Sequence, residues 1–288
     1  MENYYNPKET TLSFLSSVKA KIEIPIAQFS LLAILGGAFI AFGGLLSIMV
    51  SGGMPGFGAN NPGLVQLIAG ALFPVGLIMV SITGADLFTS DCAVFTLATL
   101  KREVNYKLFV KYLILSYVFN FVGTQIVAFL LTYQVGFMQT NPWADYFHLY
   151  AEKKVHQGFS TVFLKGIGAN WLVCLGMFMG YSAKDIIGKC IGIWIPVMLF
   201  VTLGYEHSIA NLFFIPTAIY TGADIAVYDF ILKNLLPSTI GNFIGGAVFV
   251  GMAYWYLYFY LELNNIIKRA LEKFLESSFY CYTCSCLV

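Results

Sequence analysis

The sequence predicts an all-α integral membrane protein of six transmembrane helices, arranged as two inverted three-helix repeats with broken second and fifth helices. Three observations lead there. Only 11% of the residues are charged and 58% are hydrophobic, with a mean hydropathy of +0.75, whereas a soluble domain needs far more charge to keep its surface wet. Several stretches are apolar on every side for about 20 residues, the length that crosses a bilayer core. Two of those stretches are interrupted by matching polar motifs at matching spacing.

Taken in order, a short amphipathic helix at about 10–21 is expected to lie on the membrane surface. Spans follow at about 29–50, from about 64 with an interruption at Gly84, at about 108–133 and 159–181, from about 187 with an interruption at Gly204, and at about 240–261. The domain reading is a cytosolic segment at 1–28, a membrane domain at 29–263 and a cytosolic tail at 264–288. Twelve Lys and Arg fall in segments on the amino-terminal side and three on the other, Lys153, Lys154 and Lys233. That bias puts both termini in the cytosol. Cys281, Cys284 and Cys286 crowd the tail, where they are either palmitoylated or unmodified.

The breaks carry the inference about architecture. The second span is interrupted by GADLFTS at 84–90 and the fifth by GYEHSIAN at 204–211, each with a Gly followed two residues later by a carboxylate. Downstream, Asn120 and Asn242 open matching Asn-aromatic-aliphatic-Gly strings, 34 residues after Asp86 and 36 after Glu206. The halves therefore read as two copies of one three-span unit. An odd number of spans inserts the second copy upside down, and in such proteins the substrate site forms where the broken helices meet. Irregular backbone at membrane depth is tolerated only where protein buries it or it lines a cavity.

Ionisable and polar residues within spans are functional candidates, because each costs roughly 3 kcal/mol or more at the bilayer centre. His207 sits in the second break and can donate a hydrogen bond or a proton near neutral pH. Thr89 offers a hydroxyl where the first broken helix resumes, a place that favours anions; an ordinary N-cap role is compatible with this. A carboxylate facing an anion path would repel it. Asp86 and Glu206 are therefore expected to act as scaffold, accepting N–H groups freed by the break or pairing with a cytosolic-side cation; Asn120 and Asn242 join them. Lys153 and Lys154, at the outer mouth, would raise the local anion concentration. Lys165 either continues that positive path or snorkels outward. Phe73 and Phe200 precede the breaks and are candidates for a dry constriction.

These residues resemble the formate/nitrite transporter family, and in particular its bacterial formate channels. The matching strings are GADLFTS (84–90), KVH (154–156), GIGANWLVC (166–174), GYEHSIANLFFIP (204–216) and LLPSTIGNFIGG (235–246). The resemblance implies an aquaporin-like protomer within a homopentamer, with one pore per protomer. It implies a chamber lined by His207, Thr89 and Asn170, with Lys154 as the vestibule lysine. It further implies a cytoplasmic-side constriction at Phe73 and Phe200, and an opposite one at Leu87 and Val173. Lys165 and Trp171 depart from the family's pattern and are candidate changes of selectivity.

The function expected is passage of a small monovalent anion or its conjugate acid, formate first, with lactate, nitrite or hydrosulfide as alternatives. Proton assistance fits, because an ionised carboxylate cannot cheaply enter an apolar constriction while the neutral acid can. An aquaporin-type water or glycerol channel is a competing class, but the paired Asn-Pro-Ala motifs of that class are absent. One intramembrane histidine and scattered carboxylates do not make an enzyme's nucleophile–base pair or a metal cluster. No cofactor, metal or nucleic-acid partner is expected; the partners are small anions, the lipid bilayer and further copies of the chain.

Overall fold

The structure, a computed structural model, describes residues 3–261. The tail expected at 264–288, with Cys281, Cys284 and Cys286, lies outside them. Eleven helices are described: α1 (Pro7–Glu23), α2 (Ile26–Gly52), α3 (Pro55–Asn60), α4 (Pro62–Thr83), α5 (Phe88–Leu100), α6 (Tyr106–Tyr133), α7 (Trp143–Val155), α8 (Phe159–Ser182), α9 (Ile186–Thr202), α10 (Ser208–Tyr220) and α11 (Val227–Tyr260). Of these, α2, α4, α6, α8 and α11 are long and apolar enough to cross a membrane. The fifth span is shared between α9 and α10. The chain is an integral membrane protein of two inverted halves, α1–α6 and α7–α11.

Local chemistry sets the ends. Asn6 caps α1 with a full capping box to Glu9, and Pro7 occupies the first turn. The apolar stripe Phe14, Leu15 and Val18 is buried, with the Phe14 ring edge-on to Phe178 and Tyr181 of α8. Asn105 and Asp185 cap α6 and α9 through their side chains. The sixth span begins earlier than the sequence suggested, at Val227 rather than about 240. Its first turns carry an Asp229–Lys233 pair at 2.9 Å and a buried Asn234, polar groups that lower local hydropathy without breaking the helix. A π-helical segment at Phe230–Leu235 precedes Pro237 and absorbs the loss of a backbone donor there.

Between the spans expected at about 108–133 and 159–181, residues 143–155 form α7. With it the halves match more closely, since each opens with a short helix packed against the first span of the other half, α1 on α8 and α7 on α2.

Small residues bring the spans of each half together. A Cβ on Gly123 of α6 would run into the Ile34 carbonyl of α2, and one on Gly241 of α11 would run into the Phe163 carbonyl of α8. Such contacts drive helix association where lipid removes the hydrophobic difference between inside and outside. Gly123→Ala is therefore expected to cost about 1–3 kcal/mol from overpacking, read as a lower melting temperature in detergent. Gly63→Ala, where a Cβ meets nothing within 4 Å, is the matched control and should melt with the wild type.

Candidate functional site

Both breaks use the same device. Gly84 and Gly204 end their helices in the left-handed region, at φ 75° and 68°, which glycine adopts without penalty. The chain then runs extended to Leu87 and His207, and a new helix starts at Phe88 and Ser208. The freed backbone groups are bound by the two asparagines. Asn120 donates to the Asp86 carbonyl (2.9 Å) and the Ala33 carbonyl (2.7 Å), and accepts from the Phe88 N–H (2.9 Å). Asn242 donates to the Glu206 carbonyl (2.8 Å) and the Gly166 carbonyl (2.8 Å), and accepts from the Ser208 N–H (2.7 Å). Each carboxamide does at depth what water does at a surface.

Of the two scaffold roles expected of them, the carboxylates take the pairing with a cation. Asp86 accepts from the Ser116 hydroxyl and pairs with Lys21 of α1 at 2.6 Å. Lys21 also pairs with Asp91, a buried carboxylate that hydropathy reading passed over because α5 is otherwise apolar. Burial disfavours the Lys21 ammonium, but Asp86 and Asp91 more than offset it and hold its pKa above the ordinary lysine value.

Glu206 finds its cation on the face opposite α1. Lys154, only 7% exposed, donates to Glu206 Oε2 at 3.0 Å. Asn211 (2.8 Å), Asn234 (3.2 Å) and, at Oε1, Gln157 (3.0 Å) complete the ring of donors. Burial disfavours the Lys154 ammonium too, and Glu206 more than offsets it, leaving its pKa raised. Lys21–Asp86 and Lys154–Glu206 are thus one feature repeated in two halves.

A cavity of about 790 Å3 opens on the Lys154 face. Tyr150, Lys153, Lys154, Gln157 and Lys165 line it, as do Phe73, Phe200, Phe214 and His207. The Phe73 and Phe200 rings meet edge-on at 5.8 Å, and Phe200 lies 5.9 Å from the His207 ring. This reverses the order expected along the pore: the aromatic pair lies on the Lys154 side, not on the side of α1. The reason is direction. α4 enters from the Lys154 face and Phe73 is only halfway along it, while α9 runs toward that face and carries Phe200 in its last turn; Gly84 is reached only near α1. Leu87 and Val173 are both buried and do not line this cavity; Leu87 comes directly after the Lys21-bound Asp86.

His207 caps α10 with its own ring: Nδ1 accepts from the Ala210 N–H at 3.0 Å. In the neutral imidazole this puts the proton on Nε2, which lies 3.1 Å from Thr89 Oγ1. Thr89 sits within the first turn of α5 rather than at its N-cap, which is Leu87. Asn170 donates to the Thr89 carbonyl (3.0 Å) and to the Asn242 carbonyl (2.6 Å). Thr89, Asn170 and His207 therefore come together as one buried knot joining the halves.

The two departures separate. Lys165 faces the cavity and donates to Gln157 Oε1 at 2.6 Å. Helix does not run unbroken from Lys154 to Lys165, because α7 ends at Val155. Trp171 is 41% exposed and stacks on Phe249 with ring centroids 4.5 Å apart, on the outside of the protomer. It does not line the cavity, which removes it as a direct selectivity residue. Gln157, Asn211 and Asn234 were missed by the sequence reading; their signal was weak, as single polar residues near span ends.

A family model described as "Formate/nitrite transporter" matches residues 8–256. A "Probable formate transporter" of Methanothermobacter thermautotrophicus is 38% identical over 270 residues, covering 89% of this chain and 98% of that protein. The "Formate channel FocA" of Escherichia coli is 34% identical, covering 81% and 87%. A solved structure described as a "Pentameric formate channel with formate bound" superposes with a TM-score of 0.70 at 32% identity, over 81% of this chain and 97% of that one. With its paired breaks, its matched asparagines and this relationship over nearly its whole length, the chain belongs to the formate/nitrite transporter family.

Proposed function

We propose that this chain is a pore for small monovalent anions, with formate as its main substrate, passed as the neutral acid through the contact between His207 and Thr89. It works as a homopentamer in the plasma membrane, with both termini in the cytosol and one pore in each protomer. The observation that carries the reading is the buried Thr89–His207 pair at the end of a cavity otherwise floored by Phe73, Phe200 and Phe214. Relatives named as formate channels, and the formate-bound pentamer, support the substrate and the assembly.

The chemistry follows from the imidazole. With Nδ1 held as acceptor by the Ala210 N–H, forming an imidazolium would break the cap of α10. This favours a neutral His207 that donates from Nε2 to Thr89 and so turns the Thr89 hydroxyl proton toward the path. The substrate then takes its proton from water in the cavity, and the Thr89 hydroxyl supplies a hydrogen bond at the narrowest, driest point. A neutral acid avoids the several kcal/mol that an unpaired carboxylate would cost there.

Counterflow in proteoliposomes against formate, nitrite, lactate, acetate and hydrosulfide tests the substrate. Formate should exchange fastest, and faster as external pH falls. Osmotic swelling in water or glycerol without labelled formate uptake would replace the anion pore with an aquaporin-type channel.

A further inference from the structure

We propose that Lys165, held by Gln157, is the docking site for the anion in the cavity, and that it sets a preference for two-oxygen anions. The proposal rests on the anion-pore reading above and gives that pore its entry site.

Of the three lysines that line the cavity, Lys153 is exposed to solvent and Lys154 is paired, which leaves the half-buried Lys165. The Lys154 ammonium is buried and already neutralised by Glu206. Lys165 also faces the cavity, but its partner is the neutral Gln157 Oε1, and among the described residues no carboxylate lies within ion-pairing distance of it. An unbalanced cation in a low-dielectric cleft concentrates anions far more than a paired one.

The internal symmetry shows that this charge is not there for the fold. The Lys165 carbonyl accepts the Glu206 N–H at 3.5 Å, as the Leu32 carbonyl accepts the Asp86 N–H at 3.0 Å. Lys165 and Leu32 hold the same place in the two halves, and leucine serves there. The pair that both halves need, Lys154–Glu206 and Lys21–Asp86, is the scaffold. Lys165, half-buried in the cavity and found in one half alone, is left for a ligand.

The local geometry also fits. The Gln157 carboxamide accepts from Lys165 and donates to Glu206 Oε1 at 3.0 Å. Flipping it would set N–H against ammonium and oxygen against carboxylate, so its orientation is fixed. The remaining N–H groups of the Lys165 ammonium, with the second N–H of Gln157 Nε2, give neighbouring donors. Formate, nitrite and other small carboxylates present two oxygens to such a pair; hydrosulfide presents one diffuse acceptor.

The test is Lys165→Leu, the residue of the matching place, with Lys165→Arg as the charge-keeping control. Initial formate uptake into proteoliposomes is measured at low formate across ionic strengths, beside hydrosulfide flux. Lys165→Leu should lower low-formate uptake about five-fold and flatten its salt dependence. It should also lower the formate-to-hydrosulfide ratio, while Lys165→Arg keeps all three near wild type. Unchanged uptake, salt dependence and ratio in an assembled Lys165→Leu channel would overturn the proposal. A second readout needs no flux: saturation transfer to the formate proton, titrated on purified wild type and Lys165→Gln. A weaker titration for Lys165→Gln supports the dock and an equal one rejects it. Wild-type liposomes that carry no formate while the titrations differ would reject the pore reading and leave the dock standing.

Discussion

Glu206→Leu should destabilise the folded channel by about 3–5 kcal/mol, because it leaves the Lys154 ammonium buried without its counter-charge. The loss also strips acceptors from Asn211, Asn234 and Gln157, which all donate to Glu206. The double variant Lys154→Met with Glu206→Leu should recover much of the difference, since replacing both members of a buried pair by apolar groups is often close to neutral. Melting in detergent, followed by size exclusion, measures both. Equal losses for the single and the double variant would mean that the pair is not the source of the stability. Because the pKa of Lys154 is raised in the folded chain, its contribution is complete below the ordinary lysine pKa and fades only as pH rises through the raised value. Stability from this pair should therefore not change across the neutral range.

His207→Phe is expected to slow formate passage about ten- to a hundred-fold, the effect of losing one buried hydrogen bond of roughly 1–3 kcal/mol in the limiting step. The substitution removes two roles at once, the cap on the Ala210 N–H and the bond to Thr89. His207→Asn separates them. Asparagine is a good N-cap, but its shorter side chain does not reach Thr89. His207→Asn should assemble like the wild type and still conduct formate poorly. Stopped-flow uptake between about pH 5 and 8, a range that brackets the pKa of an ordinary histidine, provides the measurement. A His207→Phe channel that passes formate at the wild-type rate across this range would remove His207 from the pathway.

Much of this architecture was readable in advance. The composition established the membrane and the matched Gly-x-carboxylate and Asn-aromatic strings established the inverted halves, because a helix broken in a bilayer must use residues that satisfy its backbone from within. The partners of the carboxylates were not readable. Lys154 and Glu206 are 52 positions apart and Lys21 and Asp86 are 65 apart, and neither pairing has a local periodicity. The side of each constriction, which only the resemblance supplied, was not readable from the chain either, because depth depends on the direction in which each span is crossed.

By itself, then, the sequence determined the class, the two breaks and the residue types gathered at them, since hydropathy, glycine conformation and side-chain chemistry are local properties. The tertiary structure decided which charges cancel and which have only neutral partners. It paired Lys154 with Glu206, turned Trp171 away from the path and left Lys165 facing the cavity. Those outcomes depend on distances between separate helices, because electrostatic balance at depth is set by which groups touch.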